Sequence, residues 1–204
     1  MTSTRIGMSR KTSVFLFGHS FPARLLRQSR ERRIDPKTLV GLSNRFTFFV
    51  EGHPGLTYSR IFDNLSHYLA LLKSRTIDIL VVDLGSNDLC DPGCPPEVVL
   101  QNVDRFLDHL ESHGVTPQKI VFLSVIRRTV ILRSGQVSCT TFNHRAKKFN
   151  WLLTNKLKEC PGVEIYVQRR IDYPKYLGDG CHLNPTGMVK YFWGIKEAVY
   201  RCKL

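Results

Sequence analysis

The stretch "IDILVVDLG" (Ile77 to Gly85) constrains the fold more than any other part of the chain. Its apolar reading is nearly continuous, with no regular alternation that would turn one face to water. That pattern predicts a strand buried on both faces, the kind found inside a parallel sheet covered by helices. Four more short apolar runs repeat the theme: "SVFLFG" from Ser13, "RFTFFVEG", "KIVFLSV" and "GVEIYV".

Between these runs lie longer segments of helical period. "FPARLLRQSRERR" follows the first strand, with Pro22 tolerated in a first turn and Ser20 placed to cap it. "LTYSRIFDNLSHYLALLKSR" carries Ile61, Leu65, Leu69 and Leu72 on one stripe and predicts a single amphipathic helix. "PPEVVLQNVDRFLDHLESHG" stops at Gly114, and "TTFNHRAKKFNWLLTNKLKE" and "NPTGMVKYFWGIKEAVYRC" predict two further helices. "IRRTVILRSGQVSC" fits a short hairpin or a surface loop. Five strands alternating with helices predict an α/β protein with three α/β/α layers and a five-stranded parallel sheet. Residues 1–12 read as a flexible basic N-terminus and residues 13–204 as one domain.

Bulk properties narrow the setting. "VFLF" is too short for the apolar core of a signal peptide, and no apolar run approaches the roughly 20 residues of a membrane span. Six scattered cysteines in a chain of 204 residues fit a reduced, intracellular protein, since disulfide scaffolds are typically far smaller, while their even number keeps a secreted reading open. With 30 Lys+Arg against 17 Asp+Glu the formal net charge is +13. That charge attracts polyanions, and the densest cluster runs from Arg24 to Arg33. A nucleic-acid partner and a merely solvated helix face are both compatible with it.

In a parallel α/β sheet, ligands bind outside the carboxyl ends of the strands, so the loop after each strand matters most. The first strand leads into "GHS" with Ser20, the second into "EGHPGLT" with Gly52 and Gly55, the third into "LGSND" with Asn87, and the fifth into "GDGCHLN" with Asp179 and His182. The Asp/His pair alone is compatible with an ion pair, a metal site, or a base and its orienting carboxylate. A serine at the same sheet edge favours the last. The hydroxyl needs a base to take its proton. Histidine suits that task near neutrality, and the carboxylate holds the ring in one tautomer. The oxyanion formed on attack needs fixed donors: the backbone N–H of Ser20, that of Gly55, and the Asn87 side-chain amide.

The set "FGHS", "GHPGLT", "LGSND" and "DGCHLN" resembles the SGNH hydrolases, also called GDSL-type esterases, over nearly the whole chain. The resemblance implies a flavodoxin-like SGNH hydrolase fold and cleavage of an ester, carboxylic or acyl/acetyl, through an acyl-enzyme. It casts Ser20 as nucleophile, His182 as base, Asp179 as orienter, and Ser20, Gly55 and Asn87 as oxyanion hole, with no cofactor and no metal. Substrates would be small-molecule, lipid-like or acylated esters. The other reading is a catalytically weak or inactive module of the same look, of the kind found in mobile elements, that binds nucleic acid or another acidic partner.

Plainer readings accompany each residue: Ser20 as a helix cap, Asn87 as a turn residue, His182 as structural. "CDPGC" with Cys181 and His182 sketches a zinc site of loose spacing. The family's first block usually reads Gly-Asp-Ser, whereas His19 stands here in the aspartate's place. Alternation along extended backbone predicts that the His19 ring faces away from the Ser20 hydroxyl, with Asp83 as its partner.

Overall fold

In a computed structural model, which describes residues 10–132, 135–171 and 174–202, the chain forms a parallel sheet between two helical layers. The elements in order are β1 (Thr12–Gly18), α1 (Ser20–Arg32), α2 (Pro36–Val40), β2 (Phe46–Gly52), α3 (Tyr58–Asp63) and α4 (Leu65–Lys73). Then come β3 (Ile79–Asp83), α5 (Pro96–Ser112), β4 (Lys119–Leu123), α6 (Cys139–Leu157), β5 (Val163–Tyr166) and α7 (Pro185–Arg201). The five strands are ordered β2-β1-β3-β4-β5 and every pairing is parallel. Residues 1–9 of the expected basic N-terminus lie outside the described residues. Arg10 already pairs with the buried Asp78 at 2.6 Å, and β1 starts at Thr12.

Strand pleating sorts the core into two halves. Phe15, Phe17, Leu80, Val82 and Phe122 pack against α3 to α6, whose inner stripes include Leu69, Val103, Phe106, Phe142 and Phe149. Val14, Leu16, Ile79, Val81, Val121 and Leu123 face the other way, onto Leu25 of α1, Val40 of α2 and Tyr191, Ile195 and Val199 of α7. All five residues of β3 are buried, as its apolar run predicts. The chain leaves β1 toward the α1/α7 face and leaves β3 toward the other, so their loops diverge. The crevice where neighbouring loops part is where such sheets bind ligands.

The structure corrects one local reading, adds an element and decides between two alternatives. The helix expected over residues 56–75 is broken at Asn64, whose backbone (φ −126, ψ 36) is not helical and whose side-chain amide donates to the Arg60 carbonyl at 3.3 Å. Asparagine offers the backbone just such an alternative to the helical ladder. Helix α2 was not expected, although Asp35, Pro36 and Gly41 supply its cap, first turn and left-handed stop. The segment around Ile126 to Val137, read as a hairpin or a surface loop, is irregular among its described residues, which is the loop alternative.

Candidate active site

The turn from β1 into α1 is built around His19. Its Nδ1 accepts the Ser20 N–H at 2.8 Å, so His19 and not Ser20 caps the helix. The Ser20 hydroxyl is thereby spared capping and stands at the cleft. Because Nδ1 accepts, the ring proton of the neutral imidazole sits on Nε2. That nitrogen lies 3.0 Å from Ser86 Oγ and 3.3 Å from Asp83 Oδ1. Asp83 Oδ2 in turn accepts the Tyr191 hydroxyl at 2.7 Å. Burial, with the carboxylate beside it, pushes the Tyr191 phenol well above its ordinary range.

His19 does lie against Asp83 as expected, with Nε2 3.3 Å from Oδ1, while the ring makes its hydrogen bond to Ser86 Oγ. The expected orientation is only half right, since His19 Nδ1 also lies 3.3 Å from Ser20 Oγ. A ring that captures the next residue's N–H necessarily stays near that residue's side chain. There is a consequence for the oxyanion donors. The Ser20 N–H assigned to them by sequence is engaged by His19 in this structure.

The loop after β2 separates two glycines. A Cβ on Gly52 would stand 2.1 Å from the Ala23 nitrogen, so Gly52 serves the close packing of β2 on α1. Gly55 lines the cleft at φ +77, a backbone conformation that disfavours any other residue. Thr57 Oγ1 then caps α3 by accepting the Arg60 N–H. The loop after β3 leans on this one: the Asn87 amide donates to the Leu56 carbonyl at 3.0 Å, which leaves its second N–H for the cleft. Next to it Asp88 Oδ1 accepts the Tyr58 N–H at 2.9 Å, and burial raises its carboxyl from 3.8 to about 6.

The loop after β5 carries the Asp/His pair. Asp179 Oδ1 accepts the N–H groups of Cys181 and His182 at 3.0 and 2.6 Å, and Oδ2 faces His182 Nδ1 at 2.8 Å. Burial would raise this carboxyl, but the ring and backbone donors outweigh it and hold the group well below the usual carboxylate range. A carboxylate on Nδ1 fixes that nitrogen as the donor and leaves the lone pair on Nε2. The loop itself is anchored by Gly180, whose carbonyl accepts the N–H groups of Thr129 and Val130 at 2.8 and 3.1 Å. Beyond it Asn184 caps α7 through the Gly187 N–H at 2.9 Å.

Ser20, Gly55, Asn87 and His182 thus line one cleft of about 580 Å³, with Asp179 behind the histidine. Among the described residues no direct hydrogen bond joins His182 to Ser20. Catalytic hydrogen bonds are often long before substrate binds. Cys90, Cys94, Cys181 and His182 do not converge on a metal site: among the described residues no three such groups are placed to hold an ion. The sequence reading overlooked the loop after β4, which brings Arg128 into the same wall. The only signal for it was a basic residue just past a strand's carboxyl end.

A family model described as GDSL-like lipase/acylhydrolase matches residues 7–192. No curated protein sequence matches the chain. Among solved structures it is similar to a Streptococcus pneumonia protein named for platelet activating factor, at 18% identity and TM-score 0.70, covering 96% of this chain and 87% of that one. A lipolytic G-D-S-L family member from Veillonella parvula aligns at 12% identity and TM-score 0.65, over 93% and 99% of the two chains. A carbohydrate esterase family 3 protein from Talaromyces cellulolyticus aligns at 15% identity and TM-score 0.64, over 95% and 99%. At these identities the likeness is one of fold, and the fold is that of the SGNH hydrolases.

Proposed function

The chain belongs to the GDSL-like lipase/acylhydrolase family, and on that premise we propose that it is a serine esterase with Ser20 as nucleophile. The observation that carries this reading is the Asp179–His182 pair, whose geometry leaves a lone pair on Nε2 in the cleft that Ser20 and Asn87 also line. His182 Nε2 takes the Ser20 proton as Oγ attacks the ester carbonyl. The oxyanion is received by the Asn87 amide and the Gly55 N–H. The Ser20 N–H joins them only if it turns from His19 Nδ1. His182 then returns the proton to the departing alcohol, and water admitted by the same base cleaves the acyl-enzyme. Asp179 holds the ring and stabilises the imidazolium.

The substrate is an acyl ester of a small or lipid-like alcohol; a carbohydrate acetylesterase family member of similar fold from Sinorhizobium meliloti supports acetyl groups among the acyl parts. Cys90, Cys94, Cys139, Cys160, Cys181 and Cys202 are all free thiols, which supports a reducing, intracellular setting. No helix among the described residues is long and apolar enough to cross a membrane.

A serine-directed fluorophosphonate tests the assignment. The folded protein is expected to be labelled on Ser20 by peptide mapping, and Ser20→Ala to remain unlabelled. Labelling that survives in Ser20→Ala, or no labelling of the native protein alongside no ester turnover, sinks the reading. A second reading, a nucleic-acid partner, has its own support. Arg30, Arg32 and Arg33 are exposed at the end of α1 with no carboxylate partner among the described residues.

A further inference from the structure

We propose that Arg128 makes the cleft a site for anionic esters, binding a carboxylate or phosphate on the substrate beside the scissile bond. The inference rests on the hydrolase reading and adds a substrate class to it. Arg128 is half-buried in the loop after β4, in the cleft that Ser20 and His182 line. Its guanidinium spends one N–H on Cys90 Sγ at 2.9 Å and one on Ser86 Oγ at 3.2 Å. Both partners are neutral, the thiol all the more so because burial raises it despite the arginine beside it. The Phe142 ring lies 4.6 Å from the guanidinium carbon and fixes its plane. Three of the five N–H groups have no protein partner among the described residues.

A half-buried cation is costly to keep without an opposite charge. Among the described residues no carboxylate lies within ion-pair distance of Arg128, and the same holds for Arg60 on the opposite wall, whose guanidinium reaches only the Gly55 carbonyl at 3.3 Å. Two acids do line the cleft, but each is turned to a backbone donor: Asp88 Oδ1 to the Tyr58 N–H and Asp91 Oδ1 to the Gly93 N–H. Arg60 is exposed to solvent, so Arg128 is the cleft guanidinium that is half-buried without an opposite charge in contact among the described residues. Arg128 also touches Ser86, the hydroxyl beside His19 Nε2, which places its charge next to the support of the Ser20 turn. A planar fork of N–H donors matches two-oxygen anions.

The test separates binding from turnover. By calorimetry, the unhydrolysable amide N-butylsuccinamate is compared with neutral N-butylbutyramide, and N-butyl phosphonoacetamide distinguishes phosphate-like from carboxylate anions. The native protein is expected to favour one or both anions over the neutral amide by about 10- to 100-fold, and Arg128→Gln to lose that preference. In parallel, the kcat/KM ratio of 4-nitrophenyl hydrogen succinate to 4-nitrophenyl butyrate should fall by a similar factor in Arg128→Gln and only partly in Arg128→Lys. Equal affinities for charged and neutral amides in the native protein overturn the proposal. So does an Arg128→Gln variant in which both esters decline together, the mark of a merely structural arginine. An anion preference in a protein that turns over neither ester and escapes fluorophosphonate keeps the anion site and rejects the hydrolase reading.

Discussion

His19→Asp restores the triplet usual in this family, and the structure says that here it should destabilise the protein. The His19 and Asp83 side chains are almost fully buried, at 3% and 6% exposure, with Nε2 3.3 Å from Oδ1. An aspartate at position 19 is shorter than the ring. Its carboxylate would still accept the Ser20 N–H but would stop roughly 5 Å from Asp83, where two like charges at an effective dielectric near 20 repel by about 3 kcal/mol. The pair escapes by keeping one proton, so one carboxyl titrates about two units above its unfolded value. A group whose pKa is raised on folding supports stability below its unfolded pKa and loses that support as pH climbs through the folded one. The deficit should therefore be small near pH 4 and reach about 3 kcal/mol by pH 8.

The comparison to make is with His19→Asn, which has the same size and no charge. Thermal unfolding of the two variants at pH 4 and pH 8 should nearly agree at the lower pH and diverge by about 6–12 °C at the higher, since 1 kcal/mol moves a chain of this size by about 2–4 °C. Adding Asp83→Asn to His19→Asp should abolish the divergence. Curves for aspartate and asparagine that run parallel across this pH range would refute the reasoning, because the loss would then come from shape and not from charge.

Further outcomes are expected elsewhere. Asp179→Asn should lower kcat on 4-nitrophenyl acetate by about 10³–10⁴-fold with little change in KM, because the amide no longer enforces the Nδ1–H tautomer. Asp88→Asn should gain stability relative to the native protein as pH rises from 4 to 8: the native carboxyl, raised from 3.8 to about 6 by burial, costs about 3 kcal/mol once ionised. Urea midpoints at the two ends of that range check it, and a constant difference counts against it. Replacing Arg27, Arg30 and Arg33 with glutamine should weaken nucleic-acid binding and shallow its log–log salt slope by about 0.9 per lost contact, while hydrolysis of a small neutral ester stays unchanged. No binding by the native protein near physiological salt would reduce this surface to a role in solubility.

Most of the cleft was legible because each strand end carries its own loop, and the parallel sheet brings those ends to one edge. Ser20, Gly55, Asn87 and His182 could be placed together with no knowledge of strand order. What escaped depends on reach across space. Whether Ser20 or His19 caps α1 turns on how far an imidazole extends, and neither residue type nor spacing encodes that. Arg128 escaped for a related reason. Its partners Ser86 and Cys90 lie 42 and 38 residues away in sequence, and its own loop has no periodicity to read. The break at Asn64 was missed because the apolar stripe of α3 and α4 continues across it, and periodicity registers the stripe alone.

The departure at His19 gains its meaning from α7. That helix begins just after His182, with Asn184 as its cap, and Tyr191 lies about 10 Å further along its axis at 1.5 Å per residue. Tyr191 donates to one oxygen of Asp83 while the His19 ring faces the other. A single buried carboxylate at the end of the central strand thus contacts both the turn that carries Ser20 and the helix that follows His182. Ser20 and His182 reach the cleft from segments about 160 residues apart, and loops alone would let them drift independently. Fixing both supports to Asp83 removes that freedom where an attack geometry tolerates little error. An aspartate in place of His19 could still grip the Ser20 N–H, but it would repel Asp83.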